Sequence, residues 1–306
     1  MVEKEYMKVS EAAAKWGISS RRVRLLCSEG RIAGTWKKGG YYLIPTDAER
    51  PSDGRIRTKT NSYTPLLKEI SLLQKQLGNC RPLTPAEVAA LREEFLIEHT
   101  HNSTTIEGNT LTLHETALVL QGITIDQKPL RDHLEVVGYR DAFEYVEELA
   151  KEKRPLSAHD ILSLHALVLA DRREDRGQWR RVPVTIAGAL TTPVQPYLIE
   201  PMIANLLTDM QTAYSSLHPV EQAALFHLRF EGIHPFIDGN GRTGRLLMNL
   251  QMIRAGLPPI DIKFADRRRY YEAFDDYART QQPTVMVSLV AEYLIERMQR
   301  MISVIA

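Results

Sequence analysis

The feature that most constrains this 306-residue chain is a short loop near residue 240 that feeds straight into a helix. Residues 234–245 read His-Pro-Phe-Ile-Asp-Gly-Asn-Gly-Arg-Thr-Gly-Arg, and the Leu-Leu-Met-Asn-Leu that follows is helical in character. Gly239, Asn240 and Gly241 can each take backbone conformations that most residues avoid, so successive N–H groups can converge into a concave anion site. A glycine-rich loop at a helix N-terminus is a phosphate site, because unpaired amides and the helix dipole both face the ligand. Arg242 and Arg245, three apart, share one face of the first turn and add two charged forks for phosphate oxygens. A cation is unfavourable at that end of the dipole, and a bound polyphosphate would offset the cost. Asp238 suits Mg²⁺, which uses few carboxylates together with phosphate oxygens. His234 lies within loop reach and can take a proton near neutral pH. Each residue alone is ordinary, since an isolated Asp-Gly or Asn-Gly is simply a turn. The combination discriminates.

From residue 65 onward the pattern is helical almost throughout. Leu66, Ile70, Leu73 and Leu77 form one apolar stripe. Thr84-Pro85-Ala86-Glu87 reads as a helix start, with proline first and glutamate third. Further helices are expected over 131–151, 157–170, 198–215, 219–232, 241–255, 266–279 and 283–303. Residues 181–197 interrupt them, and their β-branched residues and prolines predict an extended, hairpin-like flap. Hydrophobic residues at 43% and charged ones at 25% fit a soluble globular protein with ample core. No basic segment leads into an apolar one at the start, and no apolar run of about 18 residues occurs, so nothing is expected to span a membrane. Cys27 and Cys80 are too few for a disulfide framework, which makes a reducing, cytoplasmic home the default. No histidine pair has the spacing of a zinc hydrolase; His99 and His101 are two apart.

Charge is unevenly spread. Residues 1–60 hold 13 Lys/Arg against 7 Asp/Glu, and the remainder holds 26 against 31. A basic head on a mildly acidic body suggests an anionic partner for the head, nucleic acid first. Residues 9–16 read as a short helix capped by Ser10, Gly17 turns the chain, and Ser19 caps a second helix that Gly30 stops. Val23, Leu26 and Cys27 should face its core, with Arg21, Arg22 and Arg24 on the more exposed arc. Two β-prone runs then meet at Gly39-Gly40, a hairpin signal. Over residues 6–50 this order resembles the small winged helix-turn-helix of the excisionase and MerR-like group. That resemblance implies the second helix in a DNA major groove, with Lys37 and Lys38 on phosphates. The organisation expected is therefore a head over 1–50, a polar linker over 51–64 and a core over 65–306.

The 234–245 segment is similar to the signature of the Fic family, His-Pro-Phe-x-Asp-Gly-Asn-Gly-Arg-x-x-Arg, with every specified position filled. The likeness extends over about residues 85–280. It implies a mainly α fold: an all-helical core with a β-hairpin flap, beside the winged head. It also implies a protein adenylyltransferase that moves AMP from ATP to a Tyr, Thr or Ser hydroxyl of a target protein, with Mg²⁺. In that reading His234 is the general base, Asp238 holds the metal, and Gly239, Asn240 and Gly241 cradle phosphates. Arg242 and Arg245 bind the β- and γ-groups, with Thr243 and Gly244 between them in the ATP site, and Phe236 anchors the loop. Tyr270 and Tyr271 match paired tyrosines beside the adenine, although a later Asn of many relatives is replaced by Ala278. The flap at Ile186, Ala187, Gly188 and Ala189 would pair with the target segment and line the nucleotide.

Residues 103–108, Ser-Thr-Thr-Ile-Glu-Gly, resemble the inhibitory motif of that family placed before the core (class II). Ser103 and Glu107 would be its working residues. A Glu107 carboxylate on Arg245 would occupy the cation meant for the γ-phosphate and disfavour a productive ATP pose. Two other readings stay open: a DNA-binding regulator whose core senses nucleotide, and an enzyme acting mainly to remove AMP. A homodimer also stays open.

Overall fold

The computed structural model describes residues 6–28, 32, 34–49, 62–152, 154–186 and 188–305, with no side-chain description for Lys38. The chain divides into two units, Met1–Thr60 and Asn61–Ala306.

In the first unit, strands β1 (Tyr6–Lys8), β2 (Trp36–Lys38) and β3 (Tyr41–Pro45) form an antiparallel sheet in the order β1-β3-β2. Gly39 (φ 58°) and Gly40 (φ 87°) both take the left-handed conformation that a two-residue hairpin needs, and Lys38 faces Tyr41 across it. The sequence reading lacks β1, which is three residues long and earns its place by pairing with Leu43–Pro45. Helix α1 (Val9–Trp16) packs on α2 (Ser20–Ser28) around Trp16, Val23, Leu26, Cys27 and Ile44. Ser10 is not the cap of α1 but lies inside its first turn. The helix covers the expected residues 9–16, and its cap is Lys8, two residues before Ser10; the Lys8 N–H donates to Glu11. Ser19 does accept the Arg22 N–H, at 3.2 Å. The stop expected at Gly30 lies outside the described residues.

The second unit is helical: α3 (Thr64–Asn79), α4 (Pro85–Ile106), α5 (Leu113–Leu120), α6 (Leu130–Lys151), α7 (Ala158–Val168), α8 (Ile199–Gln211), α9 (Pro219–Ile233), α10 (Asn240–Arg254), α11 (Arg267–Thr280) and α12 (Thr284–Ile305). Residues 62–64 belong to this core rather than to a linker. Tyr63 is buried, its hydroxyl donates to Glu221 at 2.7 Å, and Thr64 opens α3. Helix α5 adds to the expected set, started by a Thr112–Glu115 capping box. Helix α8 ends four residues before the expected boundary, where the Thr212 hydroxyl bonds back to the Thr208 carbonyl.

Helix α10 is the axis of the unit. It is buried on every side, and a helix so placed sits in a core rather than on one. With α9 it separates two hydrophobic clusters. One includes residues of α3, α11 and α12; the other includes residues of α6, α7 and α8. The expected hairpin flap at 181–197 is not a paired hairpin: its described residues form no strand, and a short 3₁₀ turn occupies Pro196–Leu198. Pro183, Pro193 and Pro196 have no N–H to give a ladder.

Close approach of α6 and α7 depends on one glycine. A Cβ at Gly138 would lie 2.4 Å from the Leu167 carbonyl oxygen. Gly138→Ala should therefore lower stability by about 1–3 kcal/mol, read from the midpoint of urea unfolding. An unchanged midpoint would contradict this packing.

Candidate functional site

Helix α9 delivers His234 as its C-terminal cap, in a left-handed conformation (φ 52°) that is uncommon for any residue but glycine. Its N–H still donates to the Phe230 carbonyl at 3.0 Å, and Pro235 follows, so the helix cannot continue. Phe236 then turns inward. It is fully buried and stacks on His165, with ring centroids 3.6 Å apart, and on Trp179. The Asn240 side chain clamps the same turn: its Oδ1 accepts the Phe236 N–H and its Nδ2 donates to the Phe236 carbonyl, both at 2.9 Å. Asn240 thus shapes the loop with its side chain, and only its backbone is left for a ligand.

The expectation of three residues in unusual conformations holds for one. Gly239 is left-handed (φ 78°), whereas Asn240 and Gly241 are the first residues of α10. Gly241 is needed for space instead: a Cβ there would lie 2.3 Å from Oε1 of Glu107. His165 supports the loop from beneath. It accepts the Gly177 N–H at Nδ1, at 2.9 Å, so its Nε2 carries the proton and donates to the Asp238 carbonyl at 3.0 Å. Burial pushes its pKa down to about 4, which keeps this tautomer neutral.

The two arginines of α10 face different partners. Arg242, almost wholly buried, reaches Asp238 at 3.2 Å and Glu135 at 3.5 Å. Asp238 also accepts the Gly239 N–H at 2.6 Å and faces Arg172 at 3.2 Å. Burial opposes its charge, but Arg242, the Gly239 amide and Arg172 outweigh burial and hold it below the usual carboxylate range. Arg245 is buried and fully engaged. Its Nε donates to Ser103 Oγ at 2.8 Å, one terminal nitrogen donates to the Ser103 carbonyl and to Glu107 Oε1, each at 2.8 Å, and the other donates to the Tyr270 hydroxyl at 3.2 Å. Burial disfavours its charge, yet Tyr270 and Glu107 more than compensate, so it stays protonated.

A cavity of about 860 Å³ opens over these groups. Among the expected residues, Glu107, His234, Gly241, Arg245, Tyr270 and Tyr271 line it. Ile186, Gly188 and Ala189 line it from the flap, and Ala187 lies outside the described residues. Asp238, Gly239, Asn240 and Arg242 are in the adjoining loop and first helical turn rather than in its wall, and Thr243 is buried. Tyr270 is buried and bonds through its hydroxyl, while Tyr271 is half exposed. Arg21, Arg22, Arg24 and Lys37 belong to the first unit, where Arg21, Arg24 and Lys37 are exposed on α2 and β2.

Three further residues carry weight that the sequence reading did not assign. The Arg180 guanidinium donates to the carbonyls of Val182, Val194, Ile233 and His234, tying both ends of the flap to the His234 backbone. His227 and Glu231 lie beneath His234 on α9. The i, i+4 and i+3 spacing of 227, 231 and 234 places all three on one helix face, a signal that was available in the sequence. No comparable spacing signal marks Arg180.

Residues 155–252 match the Fic/DOC family, so the chain carries a Fic domain. A curated relative from Drosophila grimshawi, protein adenylyltransferase Fic, is 40% identical over 60% of this chain and 39% of its own length. The protein of the same name from Drosophila mojavensis is 36% identical over 70% of this chain and 44% of its own. The chain thus spans less than half the length of these relatives. Among solved structures, Fic-1 from C. elegans aligns with a TM-score of 0.72 at 28% identity, over 79% of this chain and 72% of that one. A Fic-domain signaling protein from Bacteroides thetaiotaomicron aligns with a TM-score of 0.70 at 27% identity, over 77% of this chain and 97% of that one.

Arg180 should be needed for the fold of this region. A lysine has one nitrogen and cannot serve both flap ends and the loop, so Arg180→Lys should cost about 1–3 kcal/mol through unpaired buried carbonyls. Urea unfolding checks this, and a loss near zero would contradict it.

Proposed function

We propose that the chain is a protein adenylyltransferase that transfers AMP from ATP to a hydroxyl of a target protein, and that Glu107 holds it in an inhibited state. One observation carries the reading. A permanently charged, buried arginine on the helix after the glycine loop faces the same cavity as His234, and a single carboxylate occupies it. The curated adenylyltransferase relatives support the transferase part of this reading.

In this mechanism the triphosphate lies along the N-terminus of α10, where free amides and the helix dipole favour negative charge. His234 takes the proton of a Ser, Thr or Tyr hydroxyl. The oxygen forms a bond to the α-phosphorus as the bond from that phosphorus to the bridging oxygen of pyrophosphate breaks, and pyrophosphate leaves with the electron pair. Arg242 and Arg245 stabilise charge on the departing phosphates, and the flap lays the target segment beside the nucleotide. Asp238 is a partly exposed single carboxylate, and the described residues hold no cluster of three or more potential metal ligands. That donor set fits Mg²⁺ arriving with phosphate oxygens as its other ligands. Bound there, the ion would neutralise phosphate charge.

The brake is electrostatic and steric. Glu107 sits at the end of α4, close enough to α10 that only a glycine fits at 241, and its carboxylate holds Arg245 at 2.8 Å. A terminal phosphate would have to displace it and would meet its negative charge.

We propose DNA binding for the first unit as an independent module. Arg21, Arg22 and Arg24 lie along α2 beside a concavity shared with Ser19, Ser28 and Tyr42, and the Lys37 ammonium lies over the Tyr42 ring. Such a helix beside a basic hairpin has the groove-plus-phosphate layout of small DNA readers.

Two experiments test these readings. Glu107→Gly protein with α-labelled ATP should label itself or a protein in a cell extract. Adding His234→Ala should reduce the label on the order of 10²-fold or more, and γ-labelled ATP should give none. No label from Glu107→Gly, or label from the γ-phosphate, would overturn the transferase. For the first unit, duplex DNA binding by fluorescence anisotropy should weaken as salt rises, and weaken again in Arg21→Ala/Arg24→Ala. Binding that ignores both would overturn that assignment.

A further inference from the structure

A histidine base works only if the correct ring nitrogen carries the lone pair, and that is set by what the other nitrogen faces. In this structure the Nδ1 of His234 is buried, has no hydrogen-bond partner, and lies 3.6 Å from Oε2 of Glu231. Glu231 stands three residues earlier on α9, and its side chain is 13% exposed. We infer that Glu231 is a positioning residue for His234. Its carboxylate accepts the Nδ1–H, so that Nε2 is the nitrogen that takes the proton of the attacking hydroxyl. This deepens the transferase reading above and rests on it.

The surroundings of Glu231 are closely packed. Its other oxygen, Oε1, enters the space beside Gly244 on α10, where a Cβ would lie 2.6 Å from it. Nδ1 of His227 approaches the same missing Cβ at 2.7 Å. The Tyr270 hydroxyl accepts from Arg245 at 3.2 Å and lies 2.7 Å from Nε2 of His227. Burial and the Arg245 charge push the His227 pKa down to about 3, so the ring is neutral. Oε1 of Glu231 and Nδ1 of His227 are both buried without a hydrogen-bond partner among the described residues, and Oε2 is the oxygen of Glu231 that faces His234.

The backbone of His234 is already fixed. Its carbonyl accepts from Arg180 at 2.7 Å, and its N–H donates to Phe230. What remains free is rotation of the imidazole, and Glu231 is the group placed to limit it. The 3.6 Å separation is longer than a hydrogen bond, as catalytic contacts often are before substrate binds. Proton transfer turns the imidazole into an imidazolium, and the adjacent carboxylate stabilises that charge as it forms.

The test uses full-length Glu107→Gly protein, with Glu231→Ala and Glu231→Gln added separately. The ¹⁵N spectrum of histidine-labelled protein should show the Nδ1–H tautomer of His234 in Glu107→Gly and its loss in Glu231→Ala. The turnover number for AMP transfer should fall on the order of 10²-fold in Glu231→Ala, with KM for ATP changed less than threefold. Glu231→Gln, which keeps an acceptor but loses the charge, should retain the tautomer and fall less. Equal turnover and an unchanged tautomer in Glu231→Ala would overturn the inference. So would a loss of turnover with the tautomer intact, since that is what a purely structural glutamate predicts. If Glu231→Ala does not fold, Glu231→Gln decides by its turnover at constant KM. An inactive Glu107→Gly parent would count against the transferase reading, and the tautomer comparison would still judge Glu231.

Discussion

The contact between Arg245 and Glu107 is the interaction on which the rest of the site depends. A guanidinium with 2% of its side chain exposed must have its donors met, because an unpaired buried charge is far more costly than a lost surface contact. Ser103 takes two of those bonds, Tyr270 one and Glu107 one. Only the Glu107 bond comes from a side chain that is still partly open to solvent, at 31%. It is the bond a phosphate oxygen can replace while the remaining three keep the arginine seated. Without the Glu107 bond the arginine would still have three others.

Everything around that contact fixes its parts in position. Helix α10 is buried on all sides, so Arg245 cannot swing into solvent. The loop before it is held by Phe236 stacked on His165 and by both polar ends of Asn240. Arg180 joins the flap to the backbone of His234. Tyr270 and His227 lead from Arg245 back toward Glu231 and His234 on α9. Arg245, Tyr270 and His227 thus form a buried polar chain that runs from that cation to the helix that carries His234.

Much of this was legible in the sequence, and the failures have physical causes. The helices of the core were readable because their apolar residues recur at helical spacing and their starts carry capping signals, as at Thr84 and Glu87. The loop at 234–245 was readable because its residue types are rare in combination. What sequence could not supply was which residues fold back on which. Gly241 reads as a flexible residue, yet it is a small one, required by the approach of Glu107 from 134 positions away. Asn240 reads as a ligand group, yet its side chain is spent on Phe236. The flap was misread because β-branched residues suggest strands, while its prolines and the Arg180 bonds hold it irregular. Strand β1 was missed because its identity lies in its partner β3 rather than in its own three residues.

The central claim is that Arg245 exchanges Glu107 for the terminal phosphate of ATP. A crystal structure of the Glu107→Gly protein with a non-hydrolysable ATP analogue and Mg²⁺ tests it most directly. The account predicts the γ-phosphate on the Arg245 guanidinium, with the α-phosphorus facing the imidazole of His234. Phosphates bound away from Arg245, with that arginine still bonded only to Ser103 and Tyr270, would contradict it.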